Sequence, residues 1–479
     1  MEERTMREIK GGYINGEFAR LHGAETIESL NPATEQPIAM VRLADRDDAR
    51  NAIAAACAVQ PFLRDTSRAE RIDMLHSLQA AILARTDDIR EATIEEYGGP
   101  LARAQWVSRY ASDCLSRTAD LLKDFPFERQ IGDASVRLEP VGVSALIVPW
   151  NSIAGTICSK LASALAAGCA TVIKPSELAP LQTQVVTEAL HAAKLPAGAV
   201  NVVLGRGSDV GDELSINPGV RKISFTGSTS TGKHIARAAV DTMKRVSLSL
   251  SGKSASIVLP DADLDSAIPL ALNAALMNNG QACVNGTRLL VPRIRLNEAL
   301  SLVERTVSAM PVGDPRDPAT VIGPLSTRSQ YERIQRYIQV GLAQGATLVT
   351  GGEGRPDGLT KGFFVKPTVF ADVHPEMDIA KEEIFGPVLC VLAYDSEDEA
   401  IRMANDSIYG LQAYVFSGRQ EHGVAIASAL EAGSVLVNRI VPETMAPFGG
   451  VKQSGVGREF GVYGLEAFLE PKSIVSPKH

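Results

Sequence analysis

Between residues 145 and 204 three short apolar runs recur, each stopped by turn residues. They are Ala145-Leu146-Ile147-Val148 before Pro149, Ala170-Thr171-Val172-Ile173 before Lys174-Pro175, and Val200-Asn201-Val202-Val203-Leu204 before Gly205. Apolar runs of this length without a solvent-facing alternation read as strands buried on both faces, as in a parallel sheet. The stretches between them, 160–168 and 183–194, are helical in pattern. Strand and helix alternating in this way predict a doubly wound α/β domain of the Rossmann type, an architecture that binds nucleotides.

A second series of strands and helices begins near residue 251, with Ser256-Ile257-Val258-Leu259 followed by Pro260-Asp261-Ala262-Asp263 and later helices at 397–404 and 423–431. At 479 residues the chain exceeds what one hydrophobic core sustains, so two large domains are expected. Apolar spacing of three and four over 45–64 and 67–97, as in Ile72, Leu75, Leu78, Ile82 and Ile89, predicts that long amphipathic helices open the chain. Residues 128–140, with Val136-Arg137-Leu138-Glu139 alternating, and the tail Lys472-Ser473-Ile474-Val475 read as strands outside the two main domains.

Net charge of −8 leaves no basic stripe for nucleic acid or an anionic membrane. The first ten residues mix acids and bases and no run approaches eighteen apolar residues, so a soluble, cytoplasmic protein is expected. Six scattered cysteines, Cys57, Cys114, Cys158, Cys169, Cys283 and Cys390, form no Cys-x-x-Cys pair, and neither disulfides nor a bound metal are expected. The histidines, His22, His76, His191, His234, His374, His422 and His479, lack a nearby catalytic pattern and read as structural.

Three segments carry chemistry. Gly205-Arg206-Gly207-Ser208-Asp209-Val210-Gly211 follows a strand and reads either as a phosphate-facing helix start or as an ordinary turn. Lys174-Pro175-Ser176-Glu177, at another strand end, offers an ammonium and a carboxylate to a ribose, or is a solvated loop. In Asn279-Gly280-Gln281-Ala282-Cys283 a glycine and small residues lead to a lone cysteine. Taken alone that cysteine reads as buried and structural; its surroundings make it an approachable nucleophile.

Pro149-Trp150-Asn151, Phe225-Thr226-Gly227-Ser228, Gly280-Gln281-Ala282-Cys283, Glu383-Ile384-Phe385-Gly386-Pro387-Val388, and Pro447-Phe448-Gly449-Gly450 with Ser454-Gly455 follow one another in a fixed order. Together they resemble the aldehyde dehydrogenase superfamily, from Ile14-Asn15-Gly16 to the C-terminal tail. The resemblance implies a Rossmann-like cofactor domain (1–122 and 142–250), an α/β catalytic domain (251–445) and a small β oligomerisation element (123–141 and 446–479). It implies NAD-dependent oxidation of a small-molecule aldehyde to its acid. Cys283 would attack the carbonyl, Asn151 and the Cys283 backbone N–H would hold the oxyanion, and a thioester would follow. Lys174, Ser176 and Glu177 would meet the adenosine ribose, Ser228 the pyrophosphate, and Glu383 and Phe385 the nicotinamide ribose. Pro149, Trp150, Gly207, Gly211, Phe225, Gly227 and Leu250 complete the implied cofactor contacts. A carboxylate at Glu177 repels a 2′-phosphate, favouring NAD over NADP, while Ser176 leaves NADP open.

One motif departs from the pattern. The family's Glu-Leu-Gly-Gly-Lys, whose glutamate is the general base for thioester hydrolysis, is here Ser249-Leu250-Ser251-Gly252-Lys253. A serine hydroxyl is no base near neutral pH. Three outcomes stay open: Glu459 activates water through the Ser249 hydroxyl, a thiol such as coenzyme A takes the acyl group, or deacylation is impaired. A nucleotide-binding scaffold without turnover is the reading from another class, and it would need neither Cys283 nor Asn151 nor Glu383. By the same resemblance Trp106 and Tyr110, one turn apart, line a substrate tunnel or pack in the core. Asn285, Arg439, Ile440, Val441 and Pro442 are pocket neighbours, the substrate is a medium-sized apolar or aromatic aldehyde, and the outlying strands pair subunits into a homodimer or homotetramer.

Overall fold

The three apolar runs become the strands Ser144–Ile147, Thr171–Lys174 and Val200–Val203, buried at every position and paired in parallel. They belong to an eight-stranded sheet in a computed structural model that describes residues 7–476, so His479 lies outside the described residues. Its strand order is Gly455–Val456, Arg245–Ser249, Lys222–Thr226, Ser144–Ile147, Thr171–Lys174, Val200–Val203, Gly12–Ile14 and Glu17–Phe18. The middle five are parallel and the strands added at either end are antiparallel. Ser144–Ile147 has its successor in the chain on one side and the fourth parallel strand, Lys222–Thr226, on the other. The winding therefore reverses beside it, which opens a crevice at the carboxyl ends of these strands.

Helix Ile153–Ala167 follows the first strand and is buried at almost every position, matching its Ala- and Leu-rich sequence. Among these apolar residues stands one charge, Lys160, which is itself buried. A seven-stranded sheet forms the second layer system, ordered Thr347–Thr350, Thr368–Ala371, Val388–Tyr394, Arg288–Pro292, Ala255–Val258, Gln412–Phe416 and Ser434–Val437, parallel except at Thr347–Thr350. Strands Glu128–Ile131, Ala134–Pro140 and Leu469–Val475 make a separate antiparallel sheet, as their alternation predicts.

Two expectations are corrected. Five strands, Arg7–Ile9, Gly12–Ile14, Glu17–Phe18, Thr26–Leu30 and Pro37–Arg42, precede the first helix. They are two to six residues long and mix charged with apolar residues, too short for either periodicity to register. The helix read over 67–97 ends at Leu83 and restarts as Thr86–Ala92. The Thr86 hydroxyl donates to the Leu83 carbonyl, and Asp87 and Asp88 fill the new first turn, where acids favour a helix start. The helices Arg46–Asp65 and Arg68–Leu83 begin at capping boxes, Asp45 with Asp48 and Ser67 with Glu70.

Candidate active site

The carboxyl ends of the strands around the crevice open onto a groove of about 740 Å³. Lys174, Ser176 and Glu177 line it together with Gly207, Gly211, Pro149, Trp150, Phe225, Gly227 and Ser228. The buried Lys174 ammonium donates to the Pro175 carbonyl at 3.0 Å and to the Glu177 carboxylate at 3.2 Å. Burial pulls its pKa below the usual lysine value. Arg206 reaches the other Glu177 oxygen at 3.5 Å while also pairing with Glu25.

Residues 207–211 make one helical turn that leads into Asp212–Ile216, so this segment does open a helix at the groove. A Cβ at Gly207 or Gly211 would meet no atom within 4 Å, so each glycine leaves open room. Ser228 caps helix Thr229–Val240 by accepting from the Thr231 N–H, aiming that helix's free N–H groups at the crevice. His234, read as structural, also lines the groove, paired with Asp212.

A second cavity, about 280 Å³, continues from the groove and shares Pro149, Trp150, Gly227 and Ser228 with it. Its wall brings together Asn151, Ser249, Leu250, Cys283, Glu383 and Phe385, residues spread over 235 positions of sequence from Asn151 to Phe385. Trp150 meets Phe385 edge-on at 5.5 Å.

The loop that presents Cys283 is held in an unusual backbone state. Asn278, Asn279 and Gly280 have φ of 58°, 57° and 73°. Asparagine tolerates this left-handed region better than other side-chain-bearing residues, which explains the Asn-Asn-Gly sequence. Side chains lock it: the Asn279 amide donates to the carbonyls of Gly98 and Pro324, both at 3.0 Å, and accepts from the Gly323 N–H at 2.8 Å. The Tyr97 hydroxyl donates to the Asn278 carbonyl at 2.9 Å. The Asn151 amide donates to the Gln281 carbonyl at 2.8 Å, which fixes its carboxamide beside the Cys283 segment.

At Gly280 an added Cβ would sit 2.2 Å from the backbone of Gly386 and Pro387. Gly280→Ala is therefore expected to cost about 3 kcal/mol or more through strain and collision together. A lowered Tm with loss of activity checks it; a variant as stable and active as the parent would contradict the packing described.

Electrostatics in the cavity oppose a resting thiolate. Burial, then the charge of Glu383, push the Cys283 thiol up to about 12, and Glu459 adds to the rise. Burial also raises Glu383, whose carboxylate accepts the Gly252 N–H at 3.1 Å. In cofactor-free protein the thiolate fraction then grows tenfold per pH unit, so iodoacetamide labelling of Cys283, read by mass spectrometry, is expected to quicken about 100-fold from about pH 8 to about pH 10. A rate flat over that range would mean the thiolate is already formed.

Glu459 lies behind the cavity wall. Its carboxylate pairs with the Lys160 ammonium at 2.5 Å, and Lys160 also donates to the Ser224 hydroxyl at 2.9 Å. Ser249 is 3% exposed, and its hydroxyl finds no hydrogen-bond partner among the described residues. Strand pairing sets Ser249 beside Thr226 and Gly455, four residues before Glu459.

The aldehyde dehydrogenase family profile matches residues 19–474. The chain belongs to this family. A curated relative, the 3-succinoylsemialdehyde-pyridine dehydrogenase of a Pseudomonas species, is 42% identical over 472 residues, covering 98% of this chain and 99% of its own. Among solved structures, aldehyde dehydrogenase C of Pseudomonas syringae, a cysteine-to-alanine mutant complexed with NAD+ and octanal, superposes with a TM-score of 0.96 at 40% identity over 100% of this chain and 99% of its own. The Mycobacterium tuberculosis aldehyde dehydrogenase complexed with NAD+ gives 0.95 at 38%, over 99% of each chain. The fold is thus the aldehyde dehydrogenase fold.

Several residues at this family site escaped sequence reasoning. Arg333 donates to the carbonyls of Glu383 at 2.6 Å and Ile384 at 3.1 Å, fixing the segment that carries Glu383 and Phe385. It comes from helix Arg328–Ala343, where nothing local marks it. Lys160 had a signal, a lone charge in an Ala-rich helix. Val441 and Pro442 do line a cavity, beside Trp106 and Tyr110. Asn285 instead backs the cysteine loop, donating to the Met277 carbonyl, and Arg439 donates to the carbonyl of Val441.

Proposed function

We propose that this protein oxidises a medium-sized apolar or aromatic aldehyde to its carboxylic acid, with Cys283 as nucleophile and NAD as the preferred cofactor. The observation that carries this is the meeting of Cys283, Asn151 and Glu383 in one cavity that continues into the nucleotide groove. The groove fits a dinucleotide: a capped helix N-terminus for phosphate, two glycines leaving room, and a lysine and a glutamate for ribose hydroxyls. Lys174, Ser176, Glu177, Ser228 and Glu383 would hold it, with Pro149, Trp150, Gly207, Gly211, Phe225, Gly227, Leu250 and Phe385 shaping its walls. When bound, NAD would supply the hydride acceptor that oxidation of the aldehyde requires. Glu177 favours NAD, while the Ser176 hydroxyl, able to donate to a phosphate, leaves NADP possible.

The chain's own groups do the rest. Cys283 adds to the aldehyde carbon, and Asn151 Nδ2, whose second N–H is free of the Gln281 carbonyl, donates to the resulting oxyanion together with the Cys283 N–H. Water then releases the acid, activated by Glu459 along a water chain that includes the Ser249 hydroxyl, with Lys160 holding Glu459 in place. The substrate class draws support from two relatives, one named for a pyridine-bearing semialdehyde and one complexed with octanal. In the same reading, residues 1–122 and 142–250 hold the cofactor, with Gly455–Val456 lent to their sheet, and 251–445 carry the nucleophile. The sheet of 123–141 and 446–479 keeps an exposed edge that a second copy covers in a homodimer or homotetramer.

Rapid mixing with NAD and an aldehyde panel tests the reading. A stoichiometric burst of reduced cofactor followed by slow turnover supports it. Stimulation of the slow phase by coenzyme A would move the acyl acceptor from water to a thiol. No burst with any aldehyde would overturn the catalytic reading in favour of a nucleotide-binding scaffold.

A further inference from the structure

We propose that Glu96 and Tyr97, neighbours in the π-helical turn Thr93–Tyr97, are positioning residues for the two halves of the reaction centre. Glu96 acts through the loop 174–179 on the adenosine ribose of NAD, and Tyr97 acts through the loop 278–281 on Cys283. The inference rests on the cofactor and nucleophile assignments above and deepens them, because neither residue lines the groove or the active cavity. Both are buried, and π-helical turns are rare and recur at functional sites.

Glu96 is 3% exposed and forms no ion pair among the described residues. Burying a carboxylate without a cation is costly, and burial pushes this carboxyl up to about 7. Donors from two distant segments hold its charge. One oxygen accepts the Ser29 hydroxyl at 3.0 Å and the Leu181 N–H at 2.7 Å; the other accepts the Gln182 N–H at 3.0 Å and the Gln182 side-chain amide at 3.3 Å. Leu181 and Gln182 open helix Pro180–Ala192, whose own N-cap residue, Ala179, has no side chain able to accept. Glu96 therefore caps this helix from 85 residues away, with its charge at the positive end of the helix dipole. The loop before the helix is tight: the Ala179 N–H donates to the Ser176 carbonyl at 3.1 Å, and the Leu178 N–H to the Ser176 hydroxyl at 3.3 Å. Between Glu177 in the groove and the capped Leu181 stand only Leu178, Ala179 and the stiff Pro180, so fixing the helix start fixes Ser176 and Glu177.

The next residue reaches the other loop. The Tyr97 hydroxyl donates to the Asn278 carbonyl at 2.9 Å and accepts the Gln281 side-chain amide at 3.2 Å. Gln281 precedes Cys283 by two residues, and its carbonyl is the one that orients Asn151. The Gly98 carbonyl, one residue further along, takes the Asn279 amide. The Tyr97 ring lies 6.1 Å from that of Trp150, which lines both the groove and the active cavity. Adjacent residues of one buried turn thus hold two loops that are far apart in sequence, one for the cofactor and one for the nucleophile.

The test binds the two halves of the cofactor separately, by calorimetry at about pH 8, where Glu96 is mostly ionised. Glu96→Gln is expected to weaken ADP-ribose about tenfold, the size of a lost set of charge-assisted contacts, and to leave nicotinamide mononucleotide within about twofold. General loosening would weaken both alike. Ser29→Ala removes one donor without adding bulk and should show the same selectivity at about threefold, which keeps the test open if Glu96→Gln folds poorly. Tyr97→Phe is expected to do the reverse: ADP-ribose binds within about twofold of the parent, while the burst rate at saturating NAD and aldehyde falls about tenfold. Hydrogen exchange reads each end without turnover, with faster exchange over 175–182 in Glu96→Gln and over 278–283 in Tyr97→Phe. Equal losses for both cofactor halves in Glu96→Gln, or ADP-ribose affinity unmoved in both Glu96→Gln and Ser29→Ala, would overturn the role of Glu96. A parental burst rate in Tyr97→Phe would overturn that of Tyr97. Parent protein that binds neither ADP-ribose nor NAD, or shows no burst, would instead remove the cofactor or catalytic reading beneath the inference.

Discussion

Cys283→Ala is expected to lower aldehyde oxidation by at least about 10⁴-fold while leaving dinucleotide binding within about twofold of the parent. The reason lies in what else the cavity holds. The hydroxyls that share the cavity, those of Thr226, Ser228, Ser249 and Ser251, are far weaker nucleophiles than a thiolate near neutral pH, and that of Ser249 has no hydrogen-bond partner among the described residues. Cys158, Cys169 and Cys390 are buried and line neither the groove nor the active cavity. No substitute attack is available, and the burst of reduced cofactor should vanish rather than slow. Binding should survive, because the groove contacts assigned to the dinucleotide come from other strands and loops, and removing one sulfur disturbs little packing. The outcome that defeats the assignment is a Cys283→Ala protein with a burst amplitude above a few per cent of the parent, measured at equal cofactor occupancy.

How far this was legible beforehand depends on where each group's partners lie. The apolar runs at 145–148, 170–173 and 200–204 are long enough and pure enough to announce themselves, and their strands fall within one residue of where they were read. The five strands before Arg46 are invisible for the converse reason. Each is too short to show a period, and they pair mostly with one another, as Tyr13 with Phe18 and Ile27 with Val41, while Tyr13 also meets the distant Val202. The same division holds at the site. Cys283, Asn151 and Glu383 sit in local motifs, and a resemblance of motifs places them together. Arg333 acts through its donors alone, on the carbonyls of Glu383 and Ile384, and any helix offers an arginine. The left-handed run Asn278, Asn279, Gly280 lies between. Its residue types hint at the backbone state, but the collision that forbids a side chain at Gly280 comes from Gly386 and Pro387, more than a hundred residues on.

Ser249→Glu is the second large effect, and it runs the other way: turnover should rise, by up to about 10²-fold, as the burst merges into a linear phase. Ser249 lines the 280 Å³ cavity that holds Cys283, and its backbone is fixed by pairing with Thr226 and Gly455, so a longer side chain extends into existing room. Burial would raise the new carboxyl above the usual carboxylate range, and the charges of Glu383 and Glu459, both felt at Cys283, would raise it further. A base raised in this way is still ionised near neutral pH and is a better proton acceptor there, so the steady-state rate should climb with pH through its titration and level off above it. Those charges also bear on the first step, since another anion beside Cys283 makes the thiolate harder to form. The burst rate should therefore fall, even as turnover rises, and the two observables move in opposite directions. If Glu459 already reaches the water through the Ser249 hydroxyl, the double variant with Glu459→Gln separates the routes. With Ser249 present, Glu459→Gln should slow deacylation by about tenfold or more; with Ser249→Glu it should matter little. Equal slowing in both backgrounds would place Glu459 outside the proton path, and a Ser249→Glu protein whose burst and slow phase match the parent's would show that water is not the acceptor.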